Sequence, residues 1–489
     1  MPRVPKLSKS RFTYGLQCHK QLWWRCFDAR SPELKPSPSQ QAIFSRGHRV
    51  GDLAQEHIPG GFRIPYDGRQ KKKAVKATEQ ALAAGEKIIY EAAFEHADVF
   101  VAADILIQED EGWTMVEVKS STSVKDQHIP DAAVQTWVAQ ATGIPITQVD
   151  LMHLNRSCRF PDLSNLFCRT DITERVEACL PSVPGELQAQ KSMLDLPIPI
   201  REAGAHCRIP YECPFLLRCQ DPLPDGHVSE LHGLGALGAQ KFLERGQNAL
   251  VDVQPNQLSG NPIWLRQREA AATGEVVCSN QLSAVVPSEA GRVGYLDFET
   301  LAPAVPVWEG CGPYQNVPAQ FSLHVREGGV LEHHQFLAPE GGDPRPAVAG
   351  ALGSALAGCS VLFVYDARFE RRCLRQLAAY SPDGPAELLA MADRVEDFLP
   401  LVRNHVYHPD FHGSFSLKAV LPALIPEMNY GDLRVADGQL ASAELETLLL
   451  RPETWPEWRQ KRTRKELLDY CARDTLALVR LHDWFLAPR

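Results

Sequence analysis

What this 489-residue chain lacks narrows its function before any motif is read. No apolar run is long enough to cross a bilayer and no apolar leader is present, so a cytoplasmic protein with no membrane partner is expected. In that reducing setting its 13 cysteines are not expected to form disulfides, which leaves the thiols in need of another purpose. There is no internal repeat and no low-complexity tract. Nor is there a general excess of positive charge: the net charge is −9, which argues against a coat for polyanions. The length exceeds one ordinary core, so at least two domains are expected.

Glu117-Val118-Lys119 is the most informative tripeptide. Side chains alternate along a strand, so Glu117 and Lys119 share one face while Val116 and Val118 turn to a core. Upstream, Val99 to Ile107 reads as a buried strand carrying a single acid, Asp104, and Glu109 to Gly112 reads as the hairpin turn. Val134, Trp137, Val138 and Ala141 then recur at helical spacing and leave Gln135 on the flank of the apolar stripe. Two carboxylates and an ammonium placed this way suit a divalent metal acting on a phosphoryl group. A charged strand face in solvent is the bland alternative.

The order acid, hairpin, Glu-x-Lys, helix with Gln resembles the PD-(D/E)XK nucleases of the RecB type, including the RecB-like nucleases associated with CRISPR loci. The resemblance implies Asp104 and Glu117 as ligands of Mg²⁺ or Mn²⁺, Lys119 as catalytic, and Gln135 as the auxiliary glutamine. One departure stands out: where relatives carry G-x-x-x-H, the place after Gly47 is Gly51, and His48 is off register.

Cys207, Cys213 and Cys219 form a tight series with five residues in each gap, and Cys18 stands far upstream. Four thiolates suit an iron–sulfur cubane or a structural zinc, although the spacing is not the C-x-x-C of a zinc ribbon; buried free cysteines are the alternative. In the iron–sulfur subgroup of the resembled family, one cysteine before the core and three after it hold a 4Fe-4S cluster. By that resemblance Cys18, Cys207, Cys213 and Cys219 are the cluster ligands, with Zn²⁺ the alternative, and Leu7-Ser8-Lys9-Ser10-Arg11 matches the family's N-terminal signature.

The C-terminal part carries a second set of acids. Asp297 and Glu299 share one face of the strand Gly294 to Thr300, and Tyr470 and Asp474 lie one turn apart on a long amphipathic helix. Between them Ser360 to Tyr365 reads as a buried strand running into Asp366 to Glu370 at a helix start, and Val395 to Val402 reads as a helical stretch with a structural Asp397. The arrangement resembles the tyrosine-bearing DEDD exonucleases of the RNase H-like fold. It implies Asp297, Glu299, Glu370 and Asp474 as metal ligands and Tyr470 as the residue that orients the attacking water. Glu370 stands where aspartate is usual, and Asp366 is a possible substitute ligand. Leu417-Lys418 matches a helix start of that family, which makes Lys418 a candidate phosphate contact, with a solvated lysine as the alternative.

Local charge fits nucleic acid better than the total does. Residues 1–90 hold 17 Lys/Arg against 7 Asp/Glu, densest at Arg69, Lys71, Lys72, Lys73 and Lys76, a candidate phosphate track or simply a solvated face. Trp23, Trp24 and Phe27 could stack bases or pack around the thiols. Leu231-His232-Gly233-Leu234-Gly235 with a helix through Leu250 looks like a helix-hairpin-helix element or a plain connector, after a linker over Asp221 to Gly226. Residues 256–290 carry no signal.

The expected fold is α/β with two nuclease domains: a PD-(D/E)XK restriction-endonuclease-like core over residues 1–222, a helical linker region over 223–290, and an RNase H-like mixed-sheet core over 291–489. The expected activity is hydrolysis of DNA phosphodiester bonds, as an exonuclease with two active sites, in DNA repair or antiviral defence. RNA as substrate, a non-catalytic loading role for the first domain, and a non-catalytic iron–sulfur nucleic-acid-binding protein are the alternatives.

Overall fold

A computed structural model describes residues 5–66, 68, 70–220, 223–435 and 437–487. Arg69 of the basic cluster and Asp221 and Pro222 of the linker lie outside the described residues. The protein is mixed α/β with mixed sheets, and among the described residues no helix is long and apolar enough to cross a membrane. The chain divides into two compact units. One is Met1–Pro222 with Pro303–Tyr314, and the other is Leu223–Ala302 with Gln315–Arg489.

The first unit is built on a seven-stranded sheet. Strands β1 (Leu7–Ser8), β2 (Phe62–Arg63), β3 (Ile88–His96), β4 (Val99–Glu109), β5 (Gly112–Lys119), β6 (Ile146–Leu154) and β7 (Phe167–Asp171) run β2-β3-β4-β5-β6-β7 across it, with β1 on β4. The sheet is apolar on both sides because it is covered on both. Ile105 and Val116 pack with Ala54, Tyr90 and Met152 on one face. Leu106 and Met115 pack with Val134 and Val138 on the other. Helices α1 (Lys9–Gln17), α2 (His19–Phe27), α3 (Pro38–His57), α4 (Lys71–Ala83) and α5 (His128–Ala141) complete the layers that matter for the site.

The β4–β5 hairpin stops pairing at a chemically loaded place. Its last partners are Ile105 and Val116, and the next position would set Asp104 opposite Glu117. Instead Asp104 Oδ2 accepts from the Val118 amide at 2.6 Å, so the ladder opens where the two carboxylates meet. Beyond the opening β1 takes over the same edge of β4, pairing Leu7 with Val99 and Ser8 with Phe100. Ser8 then caps α1, its hydroxyl accepting from the Arg11 amide, and Lys9 begins that helix.

Pro303–Tyr314 belongs to this unit although its flanks belong to the other. Ala304 and Val305 pack with Val50, Leu154, Cys158 and Leu166. The Tyr314 hydroxyl meets the Ser120 hydroxyl at 2.5 Å and donates to the Ser120 carbonyl at 2.9 Å.

The second unit centres on a five-stranded sheet ordered β11-β10-β9-β12-β13. After β8 (Val277–Cys278), β9 (Val293–Leu301), β10 (Val317–Glu327) and β11 (Val330–Leu337) are antiparallel neighbours. Strands β12 (Val361–Val364) and β13 (Val395–Asp397) add on in parallel, while β14 (Val406–Tyr407) pairs apart with β8. The 30-residue helix Glu457–Leu486 lies on β9 and β10. Gln320, wholly buried on β10, donates to the Leu467 carbonyl at 2.7 Å and pins that helix.

Three sequence expectations change here. Val395–Asp397 is a strand, and the helix starts only at Phe398, because Asp397 is its N-cap and accepts from the Leu399 amide at 2.9 Å. The helix after Leu231 covers Gly235–Leu243 and stops well short of Leu250, with Gly246 in the left-handed region after it. Residues 256–290 are not featureless: they hold the helix Pro262–Thr273, capped by Asn261 and closed by Gly274 in the left-handed conformation.

Asp397 also accepts from the Asp366 and Ala367 amides, at 3.1 and 2.9 Å, and so fixes the turn that aims the helix Ala367–Ala378. Asp397→Ala is therefore expected to destabilise the second unit by about 1–2 kcal/mol in urea unfolding, with Asp397→Asn costing less.

Candidate active sites

The first centre gathers where the hairpin opens. Glu117, 1 % exposed, has Lys119 Nζ at 2.6 Å and Lys9 Nζ at 2.9 Å on the same oxygen, Oε1. Its other oxygen accepts from Gln135 Nε2 at 2.6 Å, and Gln135 is itself wholly buried. Lys119 reaches Asp131 Oδ2 at 2.6 Å, and Lys9 lies 3.7 Å from the same atom. The sequence expectation that Glu117, Lys119, Gln135 and Asp104 share one place thus corresponds to a single contiguous set of side chains.

Charge balance explains the set. Burial alone would raise the Glu117 pKa, but the Lys119 and Lys9 ammonium groups and the hydrogen bonds from Lys119 and Gln135 outweigh it and hold the carboxyl well below its usual range. Both lysines are held above theirs against burial, by Asp131 and Glu117. Asp104 goes the other way: burial and then the Glu117 charge push it up to about 7.

Three members of this centre were not read as site residues from sequence. Lys9 lay in the noted N-terminal stretch, but only the pairing of β1 carries it to Glu117. Asp131 stands one helical turn before Gln135, and that spacing could have exposed it. Glu91 is the third: with Tyr90 opposite Ile105 and Ala92 opposite Ala103, it falls opposite Asp104. Its φ is +57°, in the left-handed region, and burial raises its pKa. His48 is exposed on α3, and the space beside Gly51 is open.

The cysteines gather at another end of the same unit. Cys207 and Cys213 share a small core with Trp24 and Phe215, and Cys219 packs against it. The Cys213 amide donates to the Cys207 carbonyl at 2.7 Å. Burial, followed by the nearby Cys207, Cys18 and Cys219, pushes the Cys213 thiol up to about 11. Trp24 lies 5.0 Å from Phe215, so it packs beside the thiols rather than offering a face to bases. Arg218 locks the adjacent helix by bonding Glu33 and, at 2.8 Å, Asp28.

In the second unit Asp297, Glu299 and Asp474 bring carboxylate oxygens within 4.8 Å of one another, and among the described residues no other group of three acids, histidines or cysteines converges so closely. Burial raises Asp297 and Glu299 well above the usual range, and the neighbouring acids add to it; Asp474 is raised to about 6. Glu370 is buried, with Oε2 lacking a hydrogen-bond partner, and burial and then Asp297 and Glu299 raise it too. Asp366 is exposed, in the left-handed region at φ 83°. Of the two acids on that turn, Glu370 is the one that faces the centre.

Tyr470 accepts from Lys418 Nζ at 2.7 Å, so Lys418 is engaged within the centre rather than free in solvent. Tyr430, unread in sequence because it sits in a loop without periodicity, donates to Asp474 Oδ1 at 2.5 Å. Cys471 Sγ approaches Asp297 Oδ2 at 3.3 Å. On α4, Lys72, Lys73 and Lys76 are exposed, and Lys71 lies 4.9 Å over the Phe100 ring.

A family model described as a domain of unknown function (DUF2779) matches residues 294–416, from the strand of Asp297 and Glu299 to the residue before the Lys418 helix. No curated protein matches the chain.

The two carboxylates of the first centre should respond oppositely to neutralisation. Glu117→Gln leaves two half-buried lysines with Asp131 as their one remaining shared anion and is expected to cost about 2 kcal/mol in urea unfolding of metal-free protein. Asp104 is raised in the fold from 3.8 to about 7, so in that window the folded state keeps a proton that the unfolded chain has released. Stability therefore falls as pH rises from about 4 to about 7 through this group. Asp104→Asn should flatten that fall and be neutral or stabilising at pH 8.

Proposed function

We propose that this chain is a metal-dependent nuclease that hydrolyses phosphodiester bonds of DNA, with an exonuclease centre in the second unit and a RecB-like centre in the first. The observation that carries the reading is the convergence of Asp297, Glu299 and Asp474, with buried Glu370 facing them. Buried acids raised by their neighbours are costly to hold without a cation, and their donor set is all oxygen, which suits Mg²⁺ or Mn²⁺. When bound, such ions supply Lewis-acid polarisation of a phosphoryl oxygen and offset the charge of the transition state.

The chain's own residues do the rest. Tyr470, held by Lys418, orients the attacking water, and Lys418 offers positive charge to a phosphate oxygen. Tyr430 keeps Asp474 in place through its hydroxyl. In the first unit Asp104 and Glu117 are the ligands, Lys119 and Lys9 balance charge at the reacting group, and Gln135 orients Glu117. The antiparallel β9-β10-β11 followed by parallel β12 and β13 supports an RNase H-like core, and the opened β4–β5 hairpin supports a PD-(D/E)XK core.

Cys18, Cys207, Cys213 and Cys219 would hold a 4Fe-4S cluster, which when bound ties the two ends of the first unit together. A zinc ion with bonds of about 2.3 Å would draw four sulfurs to within roughly 3.8 Å of one another. Among the described residues no three of these thiols come within 4.8 Å of one another, and the metal content of the purified protein distinguishes the cluster from zinc.

With end-labelled single-stranded DNA and Mn²⁺ or Mg²⁺, the chain is expected to release nucleotides, and Asp297→Ala to lower that rate by a factor of about 10² or more. Glu117→Ala should remove whatever cleavage remains. Absence of metal-dependent cleavage on single- or double-stranded DNA or RNA would sink the reading. Anaerobically purified protein should be brown and contain about four irons per chain; a colourless protein with one zinc would refute the cofactor assignment.

A further inference from the structure

A groove of about 1230 Å³ runs through the first unit from Lys9, Lys119 and Asp131 to the loop between Cys207 and Cys213. Its two ends are chemically distinct. At one end lie the charged side chains around Glu117. At the other, Ile209, Pro210 and Tyr211 form a wall that the buried Gln17 side chain holds by donating to the His206 and Tyr211 carbonyls, at 2.8 and 2.7 Å. Tyr211 is 56 % exposed and Ile209 65 % exposed, so this wall presents apolar faces to the groove.

Between the ends the floor carries polar groups with nothing to bind. Gln21 is 2 % exposed, and its amide oxygen has no hydrogen-bond partner. Arg25 is stacked with its guanidinium 3.6 Å over the Tyr14 ring, and its buried Nε also lacks a partner. Of the acids on the lining, Glu33 is bonded by Arg218, Asp131 by Lys119, and the exposed Glu212 lies 4.0 Å from Arg208. No carboxylate pairs with Arg25 among the described residues, so its charge and that of exposed Arg201 are available to an anion.

We infer that this groove binds a single nucleic-acid strand, with Arg25 and Arg201 meeting phosphates, Tyr211 stacking a base, and the strand led toward Lys9 and Lys119. Stacked aromatics beside cations are what an unpaired strand requires, whereas a duplex keeps its bases inside and shows its partner mainly phosphates. The loop that spaces the cysteines thereby becomes a wall of the substrate path. This inference rests on the nuclease reading for its direction but not for its test.

The full chain, without added metal, should be photo-crosslinked to single-stranded oligonucleotides carrying 4-thiothymidine (DNA arm) or 4-thiouridine (RNA arm), and the attached peptides mapped. Crosslinks within residues 9–25 or 201–217 are expected; crosslinks confined to α4 or to the second unit would overturn the proposal. In fluorescence anisotropy, on an Asp297→Ala background, Tyr211→Ala with Arg201→Ala should weaken strand binding about 5- to 100-fold. The triple change of Lys72, Lys73 and Lys76 to Ala should weaken it less. Equal affinity for wild type and the groove variant would also overturn it. Because neither measurement needs turnover, the groove can fail while cleavage stands, and cleavage can fail while the groove stands.

Discussion

The first unit depends on how one buried carboxylate is satisfied. Glu117 has two ammonium groups on one oxygen and an amide on the other, at distances of 2.6 to 2.9 Å. Each partner comes from a different element, Lys119 from its own strand, Lys9 from α1 and Gln135 from α5. A buried anion of this kind is tolerated only while every partner is present. The opening of the β4–β5 ladder, the short β1 and the position of α1 are therefore consequences of one requirement, the neutralisation of Glu117.

The second unit solves the opposite problem. Its acids outnumber the cations near them: Lys418 is the ammonium that acts on Asp297, Glu299 and Asp474. Burial raises the pKa of each of these groups, and like charges add to it at Asp297 and Glu299. One centre is internally neutralised, and the other carries more acids than cations. The two centres thus differ in charge balance, and the second adds acids on helices, Glu370 and Asp474, to acids on a strand.

What could be read in the sequence was whatever repeats or alternates. The shared faces of Glu117 with Lys119, of Asp297 with Glu299 and of Tyr470 with Asp474 follow from strand and helix periods, which act within a few residues, whereas their reading as sites, with Gln135, came from the family resemblances. Lys9 and Glu91 could not be found that way, because their places are set by strand pairing across about 90 and 13 residues of chain and pairing leaves no mark on local pattern. Tyr430 was hidden by its irregular loop. Val395–Asp397 was misread because an apolar stretch that ends in a cap serves a short strand and the following helix equally well. The space beside Gly51 is open.

Pro303–Tyr314 leaves the Asp297–Glu299 strand, completes the hydrophobic cluster around Leu154 and Cys158, and returns to β10. A gene split at residue 222 would therefore yield no self-sufficient halves. The amino-terminal product would expose an unfilled apolar recess beside Ser120, and the carboxy-terminal product would trail an apolar loop with no seat. The first unit is thus complete only with a dozen residues that the chain supplies from between two strands of the second.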